Sequence, residues 1–279
     1  MTSKTLTPKV GIYAALILLS LPAILPLLWM VSTSLKGNEQ IFGNSDLSVK
    51  SLIPSPLVTK NYPDALQYMP FTSYLRNTLL LCLCTVIGAV CSSAIVAYGF
   101  AKIEFAGKKV WFSLMIATMA LPGQVTMIPI FGLFRSLGWY GTYLPLIVPA
   151  FTASAYYVFL LTQFFRTIPL EMSEAARVDG ASEWTIFRTL IVPLSKPALA
   201  TCALFQFIGT WNDFLGPLLY INDPAKYTLA YGLQQFVSHY GGFYAQLMAA
   251  ATIFTLPIII LFFFAQKTFI QGISTTGGK

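Results

Sequence analysis

Long apolar runs constrain this chain more than any other feature. From Val10 to Ser34 there is no charged residue, and runs of comparable length recur along the sequence. A helix needs ~20 consecutive apolar residues to cross the hydrocarbon core of a bilayer. Six candidate spans have that character, at about 10–34, 77–101, 110–134, 142–165, 198–220 and 245–266. Only helices and closed barrels satisfy every backbone group in lipid, so an all-α membrane protein with six transmembrane helices is predicted.

The composition agrees. Charged residues make up 10% of the 279 and apolar ones 56%, whereas a soluble domain carries roughly 25% charged residues. The net charge of +7 invites a nucleic-acid reading. The basic residues form no aromatic-interleaved stripe, however, and fall between the apolar runs, which argues against nucleic acid and for membrane orientation. Cys82, Cys84, Cys91 and Cys202 all lie inside apolar runs. There they serve as small hydrophobes, not as disulfide partners or zinc ligands. The opening apolar run exceeds the ~7–15 residues of a signal-peptide core, so it reads as an uncleaved first span.

Charge also sets the expected orientation. With the N-terminus inside, eleven basic residues lie on the inner side: Lys4, Lys9, Lys102, Lys108, Lys109, Arg166, Arg177, Arg188, Lys196, Lys267 and Lys279. Six lie outside: Lys36, Lys50, Lys60, Arg76, Arg135 and Lys226. Basic residues favour the cytoplasmic side, which predicts both termini in the cytoplasm. Pro22, Pro26, Pro122, Gly123 and Pro129 interrupt the first and third runs. Such breaks suit either an ordinary kinked helix or a helix beside a water-filled cavity.

Two connections are long: about 36–76 outside, rich in proline, and about 166–197 inside. In the inner one, Pro169 is placed to start a helix, with Glu171 and Glu174 near its positive end. Gly180 is placed to end it in a left-handed turn. Ser182 can cap a second helix from Glu183 to about Leu190, which Pro193 is expected to stop. Met172, Ala175, Ala176 and Asp179 fall on neighbouring turns, a small and mildly apolar face. By itself this face fits either a solvated loop or a docking element.

The spacing Glu174-Ala175-Ala176, three residues, Gly180, nine residues, Leu190-Ile191-Val192-Pro193 resembles the EAA motif of binding-protein-dependent ABC importer permeases. Leu190 and Val192 stand where that motif has Ile and Leu. Tyr74 to Thr78, Ala97 to Lys102 and Trp211-Asn212 are similar to the carbohydrate-uptake subgroup, of the maltose-transporter type. The resemblance implies a type I ABC importer permease fold in the cytoplasmic (inner) membrane of a prokaryote, moving a sugar by alternating access. It implies that Glu171, Glu174, Ala175, Ala176, Asp179, Gly180 and Pro193 couple the permease to an ATPase. It implies as partners a second permease subunit, a dimer of ATPase subunits and an extracytoplasmic solute-binding protein. The expected organisation is an N-terminal tail, span and loop over 1–71, a transporter domain over 72–266, and a C-terminal tail over 267–279.

No phosphate-binding loop is present; Gly107-Lys108-Lys109 lacks the upstream glycine and the hydroxyl. The single histidine, His239, falls in the last outer loop, so neither a metal cluster nor a histidine triad can be assembled. The chain is therefore expected to be no enzyme and to hold no cofactor or metal. Gln206, Thr210, Trp211, Asn212 and Asp213 lie in the fifth apolar run. Polar groups at depth face a cavity or a partner. They are candidates for pathway lining, with Trp211 against a sugar face, or for an interhelical hydrogen-bond cluster with Trp211 as an anchor. An ion-driven secondary transporter would need inverted repeats and several midplane carboxylates, and only Asp213 qualifies. Glycerol phosphate or a polyol stay open as solutes.

Overall fold

The computed structural model describes residues 7–43, 49–237 and 243–276. Every regular element among the described residues is helical. Four helices are long and apolar enough to cross a membrane: Gly11–Ser34, Phe71–Lys102, Leu144–Thr167 and Tyr244–Phe264. Two bent pairs, Lys108–Thr118 with Gly123–Ser136 and Glu183–Leu194 with Lys196–Trp211, bring the count to six if each pair is one span. His239 lies outside the described residues.

The chain divides into two compact bodies. The first comprises Met1–Phe71 and Gly232–Pro257. In it, helix α1 (Thr7–Ser34) leads into a loop that folds onto its end, and α2 (Asn61–Tyr68) follows. The buried Asn61 amide donates to the carbonyls of Ser34 at 2.8 Å and Lys36 at 2.9 Å, satisfying the exit from α1. The Ser34 and Tyr62 hydroxyls meet at 2.8 Å. The Tyr68 ring packs beside Phe236 and Phe243.

The second body comprises Thr72–Tyr231 and Ile258–Lys279. Its central helix, α3 (Phe71–Lys102), contributes Ala89, Ala94, Ala97 and Tyr98 to the largest apolar cluster. Small residues matter here because lipid supplies no hydrophobic drive between helices, so close packing must hold them together. Gly88 shows the tolerance: a Cβ there would sit 2.7 Å from the Phe151 ring.

The third apolar run is broken more sharply than a kink. Helices α4 (Lys108–Thr118) and α5 (Gly123–Ser136) meet at 95°. Pro122 takes an extended conformation (ψ 132°) immediately before α5 and donates no N–H to any α4 continuation. The fourth span is also discontinuous. A 3₁₀ segment, Val148–Thr152, gives way to Ala153 at φ 64° before α6 (Ala155–Thr167) begins. Left-handed backbone at a residue with a Cβ is strained. Two serines of α3 meet the freed amides: Ser92 Oγ accepts from Ala153 N–H at 3.1 Å and Ser93 Oγ from Ser154 N–H at 3.0 Å.

Helices α7 (Leu170–Val178) and α8 (Glu183–Leu194) follow, then α9 (Lys196–Trp211), set at 79° to α8. Pro193 does not stop α8, which runs on to Leu194. Residues 187–191 form a π turn, with Val192 N–H reaching back to the Phe187 carbonyl. That turn has already taken the backbone out of α register, so the missing Pro193 N–H breaks no α bond. The fifth run also ends sooner than 220: α9 stops at Trp211, and a separate short helix α10 (Leu215–Tyr220) completes it. The final helix, α11 (Tyr244–Thr276), carries on past 266.

Candidate functional site

Two groups of residues from the second body carry functional interest, and the first is α7. Pro169 is its N-cap, one position ahead of the first helical residue, and Glu171 lies in the first turn. Its other end is a Schellman motif. Gly180, at φ 82°, donates to the Arg177 carbonyl at 3.0 Å, and Ala181 N–H reaches the Ala176 carbonyl at 2.9 Å. Ser182 then caps α8, its Oγ accepting from Thr185 N–H at 3.2 Å. Motif glycine and capping serine thus turn the chain between two helices within four residues, 179–182.

Three of the four residues on the face read from the sequence, Met172, Ala175 and Asp179, are exposed, and Ala176 is half-buried. Glu171, Glu174, Ala175 and Val178 point outward, with Met172 and Asp179 also exposed. Val178 is 88% exposed. Ala176 turns the other way and packs against the cluster that contains Phe165 and Ile186. Ser173 is fully buried beside it. Trp184, at the start of α8, adds an exposed ring near the same turn.

Charged groups tie this segment down. Arg177 Nε donates to Glu183 Oε1 at 2.6 Å, and the Tyr98 hydroxyl of α3 donates to Glu183 Oε2 at 2.5 Å. The Glu183 hydrogen bond holds the Arg177 guanidinium above its ordinary pKa, so it stays charged. Lys102, buried at the end of α3, donates to the Ile168 carbonyl just ahead of α7.

The second group surrounds a polar cavity of about 270 Å³. Gln206, Thr210 and Asp213 line it, together with Thr85 of α3, Leu146 and Pro217. Gln206 Nε2 donates to Thr210 Oγ1 at 3.1 Å, and the Thr85 and Thr210 hydroxyls lie 2.9 Å apart. Asp213 Oδ1 accepts from Gly216 N–H at 2.9 Å and so caps α10. Trp211 is not at this cavity: it is 1% exposed and stacked on Phe207. Asn212 is exposed and closes its own helix, Nδ2 donating to the Ile208 carbonyl at 2.8 Å. The structure thus brings three of the five candidate lining residues together and leaves two elsewhere. Thr85 was missed because a lone threonine in an apolar run carries no signal. The contacts of Tyr98 with Glu183 and of Lys102 with Ile168 were missed because the partners lie 85 and 66 residues apart in sequence.

A short separate helix tied to a long membrane span, with a polar cavity further along that span, suits a membrane transport protein. The chain belongs to the family of binding-protein-dependent transport system inner membrane components, which matches residues 89–275. It is 32% identical over 272 residues, 97% of this chain and 89% of the relative, to the probable ABC transporter permease protein YurM of Bacillus subtilis. It is 32% identical to the trehalose transport system permease protein SugB of Mycobacterium tuberculosis, covering 92% of this chain and 93% of that one. The arabinooligosaccharides transport system permease protein AraQ of Halalkalibacterium halodurans is 31% identical, with 92% and 91% covered. The fold matches a chain of a bacterial ABC transporter involved in alginate import, with TM-score 0.80, 24% identity and 96% and 98% of the two chains covered. The protein is an integral membrane permease subunit of an ABC importer, with ATP hydrolysed on a separate subunit.

Gly180 has open space around its missing Cβ, so only backbone strain opposes substitution there. Gly180→Val should cost about 1–2 kcal/mol at the turn and fray the end of α7. Gly180→Asn, which tolerates the left-handed region, should cost less. Limited trypsin cleavage after Arg177 in purified protein measures this: it should be several-fold faster for the valine variant and near the parent rate for the asparagine one.

Proposed function

We propose that this permease carries a carbohydrate, with both termini in the cytoplasm and α7 docked in the ATPase. The observation that carries the reading is the EAA-spaced segment folded as a separate helix that turns Glu171, Glu174, Ala175 and Val178 outward. Acidic residues flanking a small apolar centre suit a cleft in another protein that offers basic groups at its rim. The carbohydrate assignment is supported by the relatives named for trehalose and arabinooligosaccharides. The orientation is supported by the Lys/Arg asymmetry, which favours the end bearing α7 as the cytoplasmic one. On that topology, residues of about 36–76 and 221–244 face the solute-binding protein, and 168–197 faces the ATPase.

The polar cavity gives the pathway its chemistry. Threonine hydroxyls, a glutamine amide and a carboxylate can each exchange a hydrogen bond with a sugar hydroxyl. The Thr85–Thr210 contact is worth only about 0.6 kcal/mol on the average for interhelical pairs in membranes, so a passing solute can replace it. Alternating access then requires that the cavity open to one side at a time, driven by closure of the ATPase dimer beneath α7.

The orientation is measured with an impermeant thiol reagent on variants lacking the native cysteines. Leu57→Cys, exposed in the first body, should label from outside in intact cells. Asp179→Cys should label only after the membrane is breached; the reverse pattern inverts the topology. The solute class is measured by reconstituting both permeases, the ATPase and the binding protein in proteoliposomes. Trehalose or arabino-oligosaccharides should stimulate ATP hydrolysis several-fold, and glycerol 3-phosphate and sorbitol should not. Stimulation by the latter pair alone would move the solute class away from carbohydrate.

A further inference from the structure

Helix α3 is fastened to the α7–α8 segment at both ends of α7. Ahead of α7, the Lys102 ammonium holds the Ile168 carbonyl at 2.5 Å. Behind it, Arg177 and Tyr98 converge on the two oxygens of Glu183. Arg177 also reaches the Lys102 carbonyl with a second nitrogen, at 3.4 Å. The Tyr98 ring lies 5.3 Å from that of Phe187, which lies 5.4 Å from Trp184, so the polar clamp is backed by packed rings. Covalently, α7 is linked only to α6 and α8; α3 is joined to it through these polar side chains and through the apolar cluster that Ala176 packs against.

The same helix reaches the polar cavity. Thr85 stands thirteen residues before Tyr98, about 20 Å along the axis at ~1.5 Å per residue. There it bonds Thr210 of α9. α3 is continuous from Phe71 to Lys102, with no proline inside. The adjoining spans are broken, at Ala153 and at Ser195. A displacement applied at its Lys102 end therefore arrives at Thr85, whereas the path along α6 meets the break at Ala153 and the path from α8 into α9 meets the 79° bend at Ser195.

We propose that Tyr98, Arg177 and Glu183 are positioning residues that make α3 the rod through which motion of the docked α7 reaches the cavity. The clamp transmits and does not hold the fold. Arg177 and Glu183 are both partly exposed, and such a pair contributes little to stability. Removing it should leave the subunit folded and assembled while the cavity end of α3 no longer follows the ATPase. This inference rests on the docking role proposed for α7.

The test uses the full complex in nanodiscs, with the four native cysteines of this chain replaced by alanine. Nitroxides are placed on Leu83→Cys in α3 and Ile260→Cys in α11, both exposed. Their separation is measured by electron-electron resonance without nucleotide and after trapping with ATP and orthovanadate. The parent complex should show a nucleotide-dependent shift. Tyr98→Phe and Glu183→Gln should each lose at least half of it while retaining ATPase subunits at parent stoichiometry. Tyr98→Phe removes one hydroxyl only, which keeps the result readable if the charge change at 183 perturbs folding. Three results overturn the inference: no shift in the parent, a full shift in both variants, or loss of the ATPase from both. Val178→Asp is run alongside. If it releases the ATPase, the docking reading stands whatever the clamp variants do. If the ATPase stays bound, the docking reading falls and takes this inference with it.

Discussion

Backbone that leaves the helical path at membrane depth has to find its hydrogen-bond partners inside the protein, and α3 supplies them. Ser92 and Ser93 satisfy the amides of Ala153 and Ser154. Near its start, Asn77 donates to the carbonyls of Ala225 and Tyr227, and Thr78 accepts from Leu229 N–H. Near its end, Lys102 takes the Ile168 carbonyl. In lipid an unsatisfied backbone group costs several kcal/mol, so Ser92 and Ser93 permit the break in the fourth span, while Asn77, Thr78 and Lys102 fix the connections at the two ends of α3. An unbroken span thus allows the segments packed on it to be broken.

Function follows from where those breaks fall. The interruption between α9 and α10 puts Asp213 beside Gln206 and Thr210 and leaves a polar cavity. The bend at Ser195 sets α8 at 79° to α9, with α7 turned back just before it. Bends of this size concentrate polar groups and free helix ends at a few depths and leave the rest of the surface apolar. A permease needs that arrangement: a pathway with hydroxyl-compatible walls, and a protruding element for a soluble motor to grip.

Much of this was legible in the sequence. Apolar runs located the spans, because lipid forces length and composition together. The α7 turn was legible because Gly180 and Ser182 do local work, a left-handed turn and a cap, that depends only on nearby residues. What was not legible depends on contacts distant in sequence. Ala176 is half-buried because it packs against an apolar cluster drawn from distant parts of the chain, whereas helical periodicity alone grouped it with the exposed residues. The helix runs one residue past Pro193, because the π turn before it, which residue types do not foretell, leaves no α bond for the missing N–H to break. Trp211 next to Asn212 and Asp213 looked like one polar group, but the break after Trp211 sends its ring into the core. The family resemblance supplied what residue chemistry left open, the choice between a solvated loop and a docking element.

The claim that α3 side chains seal the broken fourth span is tested most directly by hydrogen exchange on the detergent-purified subunit. The peptide covering residues 148–156 should exchange at least ten-fold faster in Ser92→Ala/Ser93→Ala than in the parent, while peptides from the later turns of α6 keep their parent rates. Equal exchange over 148–156 in the two proteins would contradict it, because those amides would then be protected by something other than α3.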